Sequence, residues 1–249
     1  MTSHRSWALL GAVSVLGLAL GACGSSSGGN ASSPTTSGTA AASTTTTTMT
    51  QAADLALAKR SLVVLGDLPS GWTASGEISS GGGSGSNVPL AEIATCLGVP
   101  ASEIQENEPT ENSPTFNDPT KSASVDDQVE VFPSATAAGI DFSTFANPKA
   151  PKCVAGILAT LVKQGTQNNG GTKIGTITAT RESFPDVGDH SGAIQLEVPV
   201  LPGDTSVFFT IAVITRGPLE TTLALSSTGT PFSAAVAQQV AHAAVNHMS

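Results

Sequence analysis

The side chains of this 249-residue chain that could do chemistry are few: three cysteines, four histidines and nineteen carboxylates. His242 and His247 lie five residues apart, so they do not share a helix face, and no acid lies between them. The i, i+4 spacing of a helical zinc pair is therefore absent, and both read as exposed residues of a terminal helix. His190 sits between Asp189 and Ser191 in "PDVGDHSG". A nucleophilic triad needs groups converging from separate elements, so three sequence neighbours read as a turn. The stretch "ASEIQENEPTENSPTFNDPT" (101–120) brings Glu103, Glu106, Glu108, Glu111 and Asp118 close in sequence. Such oxygen donors suit calcium, but the EF-hand order with its glycine and terminal glutamate is missing, and a solvated loop is the plainer reading. Asp186 and Asp189 are ordinary turn carboxylates. An aromatic content of 4% argues against a sugar-stacking cleft between paired acids. "SSGGGSGSN" (79–87) has no Lys-Ser/Thr after it and no buried strand before it, so it is not a phosphate loop. It also lacks the G-x-S-x-G of a nucleophile elbow. Cys96 in "EIATCLGVP" and Cys153 in "APKCVAGIL" have no His or second Cys at ligand spacing. No catalytic or metal-ligating residue is assigned, and no cofactor is implied.

The third cysteine, Cys23, lies at a sharp boundary. Arg5 supplies a positive start, Trp7–Leu20 is apolar or small throughout, and Gly24 opens a Gly/Ser run. The apolar stretch is too short to span a bilayer, which takes about 20 residues, and has the length of a signal-peptide core. Leu20-Gly21-Ala22-Cys23 resembles the lipobox of bacterial lipoproteins. That resemblance implies cleavage before Cys23 and a thioether-linked diacylglycerol on its sulfur. Residues 1–22 are then a signal peptide, and the protein is held at the outer face of the cell membrane by its acyl chains. The alternative is an ordinary cleaved signal followed by a free or disulfide-bonded Cys23. With Cys23 lipidated, Cys96 and Cys153 remain in an oxidising compartment, where a disulfide is the obvious pairing.

From Gly24 to Thr50 the chain is Gly, Ser, Ala and Thr apart from Asn30, a single Pro34 and Met49, with no charge. It cannot bury enough apolar surface to offset its ordering entropy, and reads as a disordered tether over residues 23–50. Its typical reach is about 30 Å. The threonine run Thr44–Thr48 is a candidate for O-glycosylation. Loss of residues 1–22 removes Arg5 and no acid, taking the net charge from −9 to −10. With ten Lys and Arg in all, the chain repels phosphate backbones, which excludes nucleic acid as a partner class.

Residues 51–249 form one domain by length. Helical spacing runs over 51–65, 88–98, 135–147 (capped by Ser134) and 152–165. Residues 122–132 alternate Val125, Asp127, Val129 and Val131 against Asp126, Gln128 and Glu130, a strand with one polar face. Residues 173–184 are β-like. Then 191–201, 205–216 and 219–228 are three strands joined by "PGD" and Gly217-Pro218, an antiparallel meander. The middle strand is apolar on both faces and is expected to be central. Pro199 suits an edge or a bulge. Thr230 and Pro231 are expected to open a closing helix whose Val236, Val240 and Ala244 lie on the sheet. The expected class is α+β, a mainly antiparallel sheet packed with helices. Trp72, after "LGDLPSG", is expected to be a core anchor, with an aromatic ligand platform as the sharper alternative.

The lipobox, the Thr-rich tether, "LGDLPSGW" and the Cys96/Cys153 pair together resemble an actinobacterial cell-envelope lipoprotein. Residues 51–249 resemble the extracytoplasmic sensor domains of PknH-type kinases and the LpqN-like lipoproteins. That resemblance implies an α+β module that binds a ligand or partner. The PknH-type domain has two disulfides, whereas this chain can form one. The leading expectation is a non-catalytic, sensor-like binding module whose partner is an envelope protein or a small apolar ligand. Trp72 and Phe208 are the candidate lining of a groove between sheet and helices. An envelope hydrolase, or a structural or assembly lipoprotein, are the alternatives.

Overall fold

A computed structural model describes residues 43–81, 90–100, 108–167, 173–203 and 205–249. The expected signal peptide, Cys23 and most of the expected tether lie outside these residues, as do Glu103 and Glu106. Helix α1 (Ser43–Ser61) begins upstream of the boundary expected at residue 51 and stops four residues before the expected end at 65. Leu62 and Val63 follow it, both almost fully buried. A short 3₁₀ turn (Leu65–Asp67) leads to Trp72 and to strands β1 (Thr73–Ser75) and β2 (Ser79–Ser80). Helix α2 (Leu90–Leu97) follows, and then β3 (Thr110–Asn112) and β4 (Thr115–Asp118), inside what reads from sequence as a loop. These two strands are too short for alternation to reveal, and each is held by pairing with β5 (Ala123–Val131).

Helices α3 (Ala135–Phe145) and α4 (Ala150–Gln167) come next. Ser134 caps α3 as expected, its hydroxyl oxygen accepting from the Ala137 N–H at 3.1 Å. Pro151 falls in the first turn of α4, where its missing N–H costs nothing. The β-like stretch after α4 is two strands, β6 (Lys173–Ile174) and β7 (Thr178–Glu182), both pairing with β8 (His190–Leu201). Pro199 explains the break. β7 pairs with Ala193–Glu197 and β6 with Val200–Leu201, so Pro199 sits in the gap, and Gly175 packs against its ring. Strands β9 (Thr205–Arg216) and β10 (Leu219–Thr228) complete the meander, and α5 (Ala234–His247) closes the chain.

The sheet runs β1-β4-β5-β10-β9-β8-β6, with β3 also on β5 and β7 also on β8. Every pairing is antiparallel, and β9 is central between β10 and β8, as its two apolar faces require. Both faces are covered. On one, Val236, Val240 and Ala244 of α5 meet Ala212, Ile214, Leu223 and Leu225, joined by Val63, Leu68 and Trp72. On the other, α2 and α4 cover Ile194, Leu196, Val198 and Ile211. The Cys96–Cys153 disulfide clips α2 to α4, with Cα atoms 5.8 Å apart. The closing helix starts at Ala234 with Ser233 as its cap, later than Thr230 and Pro231 imply. Phe232 is drawn into the core against Trp72, ring centroids 6.3 Å apart, and this holds the segment before the helix extended.

Candidate functional site

The α4 face of the sheet also carries α3, and under α3 the sheet is polar. In antiparallel pairing, directly opposed residues share a face. The register aligns His190 of β8 with Thr215 of β9, Thr215 with Glu220 of β10, Glu220 with Glu130 of β5, and Glu130 with Thr110 of β3. One row thus crosses five strands. From above, α3 adds Phe142, whose ring stacks on His190 at 5.2 Å and 16°, and Asp141, which shares a hydrogen bond with Glu220. Gln128 donates to Glu130 Oε1 at 2.6 Å. Glu108 lies at the outer end of the row, close enough to Asp141 and Asp54 to feel both charges.

Three of these groups are carboxyls in contact or directly opposed, and the interactions that shift them include no Lys or Arg. Burial is the largest influence on each, because a low-dielectric site disfavours the charged form. It pushes Glu130 up to about 7, helped by Asp141 and Glu108 and opposed by the Gln128 hydrogen bond. Glu220 is held well above the usual carboxylate range by burial, by Asp141 and Glu130, and by donating its own proton to Asp141. Asp141 is raised by burial, less so because it accepts that proton. Glu108 is raised by burial, then by Asp141 and Asp54. A hydrogen bond between two carboxyls needs one proton, so the Asp141–Glu220 contact is a carboxyl pair sharing one.

Beside α3 an open groove of about 560 Å³ runs between Ala135, Thr136, Gly139, Ile140 and Ser143 of the helix and Asp189, His190 and Thr215 of the sheet. Its inner wall has unused hydrogen-bonding capacity. Thr215, which lines it, is 1% exposed and its Oγ1 has no hydrogen-bond partner in the protein; opposite Thr215 on β10, Glu220 is 4% exposed and its Oε2 accepts no hydrogen bond. The turn that brings Asp189 and His190 to the groove depends on Gly188. Its φ is +70°, and a Cβ there would lie 2.3 Å from the Thr215 carbonyl oxygen.

The residues singled out from sequence are dispersed. Trp72 is buried against Phe232 and fills the core on the opposite face. Phe208, half-buried on β9, also points to that opposite face, beside Thr210. Neither lines the groove under α3. The three neighbours at 189–191 do not converge. Asp189 accepts from the Gly217 N–H, His190 stacks on Phe142, and Ser191 donates to the Pro185 carbonyl. His242 is exposed, as expected. His247 is not free, since its Nε2 lies 2.9 Å from Asp67 Oδ2 and ties α5 to the 3₁₀ turn. Of the expected acidic loop, Glu111 accepts from Ser80 and Asp118 from Thr120; both are buried turn or strand residues. No group of three or more His, Cys, Asp or Glu side chains among the described residues is arranged to hold a metal ion. No helix among them is long and apolar enough to cross a membrane.

Asp141, Thr215 and Glu220 are the functional candidates that sequence reading misses. Glu130 is seen only as part of the polar face of a strand. Nothing local marks them: what assembles them is the β5–β10 pairing and the seating of α3 over it. Against known proteins, no family model matches the chain and no curated protein matches it. Among solved structures it is similar to the extracellular domain of PknH from Mycobacterium tuberculosis, with a TM-score of 0.33 and 11% identity over 71% of this chain and 80% of that one.

Proposed function

We propose that this chain is a lipid-anchored, extracytoplasmic binding module of the cell envelope that works without a catalytic centre, and that its site is the groove beside α3. One observation carries the reading of the site: the groove is lined by Thr215, whose buried hydroxyl is unpartnered next to a Glu220 oxygen that accepts no hydrogen bond. Buried polar atoms are nearly always satisfied, so a pair left open at the wall of a groove fits a ligand that completes them. The sensor-like role follows from placing such a site on a tethered domain. The anchor reading rests on the lipobox-like Leu20-Gly21-Ala22-Cys23.

Hydrogen exchange on the full chain, with and without the small-molecule fraction of a cell-envelope extract, tests the site. Slowed exchange in α3 and at the β8–β9 end around Thr215 is the expected result. Unchanged exchange there, or labelling of a serine by an activity-based hydrolase probe, overturns it. The anchor has its own test. Cys23→Ala is expected to move the protein from the membrane fraction to the soluble fraction and to remove the acyl mass. A variant that stays membrane-bound with its acyl mass intact rules the anchor out.

A further inference from the structure

The groove has a chemical bias that its shape alone does not convey. Its wall and surroundings are rich in oxygen acceptors. Asp189 lines it, Thr215 Oγ1 is unpartnered, Glu220 Oε2 accepts no hydrogen bond, and Asp141, Glu130 and Glu108 crowd behind. Glu220 faces Glu130 directly across β5 and β10, an arrangement of like charges that costs stability unless something intervenes. A proton shared within the carboxyl pair is one remedy; a cation is the other. The chain as a whole, at −9, attracts cations. A bare metal ion wants several oxygens converging on one point, and the described side chains do not offer that. An ammonium group wants less: separate acceptors for its three N–H donors. Thr215 and Glu220 are register neighbours on one face, so their Cβ atoms lie about 5 Å apart, within reach of one such head group. The rest of the groove suits the stem. Ala135, Gly139 and the exposed Ile140 give an apolar strip leading inward along α3.

We infer that the groove beside α3 binds the alkylammonium end of an amine, with its head on Thr215 Oγ1 and Glu220 Oε2 and its carbon stem along Ile140. The inference rests on the groove being the binding site, as proposed above. The chemistry has two sources, a free aliphatic amine or the side chain of a lysine in a partner protein. In either case the incoming charge replaces the shared proton. That proton leaves the Glu220–Asp141 pair for solvent, Glu220 becomes a carboxylate, and the ammonium is its counter-ion.

The test titrates the detergent-solubilised full chain near neutral pH with cadaverine, with Nα-acetyl-lysine methylamide, with pentanol as the uncharged control, and with calcium chloride. Amide NMR shifts and calorimetry in two buffers of different ionisation enthalpy are the readouts. Both amines are expected to shift the amides of Thr215, Glu220 and α3 and to release a proton on binding, while pentanol does neither. Tighter binding of cadaverine identifies a free amine, and tighter binding of the lysine analogue identifies a protein partner. Glu220→Gln and Thr215→Val are expected to weaken binding about tenfold each, and Glu220→Gln to abolish the proton release. Asp186→Asn, in an exposed turn, leaves binding unchanged. Absent shifts with both amines, equal shifts with pentanol, or shifts with calcium alone overturn the inference. If the envelope extract still protects α3 in that case, the groove binds something else and only the amine assignment falls.

Discussion

Asp127 and Glu130 stand three residues apart on β5 and face opposite sides of the sheet, and the contrast shows how burial decides a carboxylate's role. Asp127 is 2% exposed, and its oxygens accept from the Val63 N–H at 2.7 Å and from the Thr221 hydroxyl. It fastens the segment leaving α1 to the middle of the sheet. Burial raises it to about 6 despite those hydrogen bonds. Asp127→Ala leaves two buried donors without an acceptor, so a loss of about 2–4 kcal/mol is expected in denaturant unfolding, with Asp127→Asn costing less. Glu130, by contrast, has Gln128 as its hydrogen-bond donor and other carboxyls as neighbours. From the sequence, the alternation of Asp126, Gln128 and Glu130 was legible as a polar face. That this face lies under α3 rather than water was not, because alternation records which side chains share a side and says nothing of what covers it.

At the level of elements, the sequence told most where the pattern was local. The meander, the central place of β9, the Ser134 cap and the stripe of α5 follow from periodicity, turn residues and propensity. The two-part strand before β8, the short β3 and β4, and the late start of α5 do not, since they are set by Pro199, by pairing with β5 and by Phe232 docking on Trp72. The turn before β8 is the most exposed to a single change. Gly188→Ala puts a methyl against the Thr215 carbonyl in a backbone conformation that L-residues rarely adopt. A loss of about 2–4 kcal/mol is expected, with perturbed NMR signals of His190 and Thr215. The disulfide makes a second element-scale prediction. It closes a loop of sequence separation 57 around β3, β4, β5 and α3, worth up to about 4 kcal/mol in chain entropy. Reductant is expected to lower the melting temperature of the native protein and leave that of a Cys96→Ser/Cys153→Ser double variant unchanged. Equal melting with and without reductant would count against the stabilising role.

For the whole molecule, the raised carboxyls fix how stability varies with pH. Glu130 at about 7 and Asp127 at about 6, with Asp141 and Glu220 also raised, bind protons in the folded state that the unfolded chain has already released. Stability therefore falls as pH rises from about 4.5 through about 7. The melting temperature is expected to be higher near pH ~5 than near pH ~8, and Glu130→Gln should flatten that slope without removing it. A slope of the opposite sign would show that these groups are charged in the folded protein. The sheet's outline has a different consequence. Its margins are β1, three residues long, and β2, two, on one side, and β6, two, and β7, five, on the other, all too short to offer another chain a long bare edge. A ten-stranded sheet finished this way resists fibril growth by edge addition, and should stay monodisperse even where many copies are crowded together on a surface.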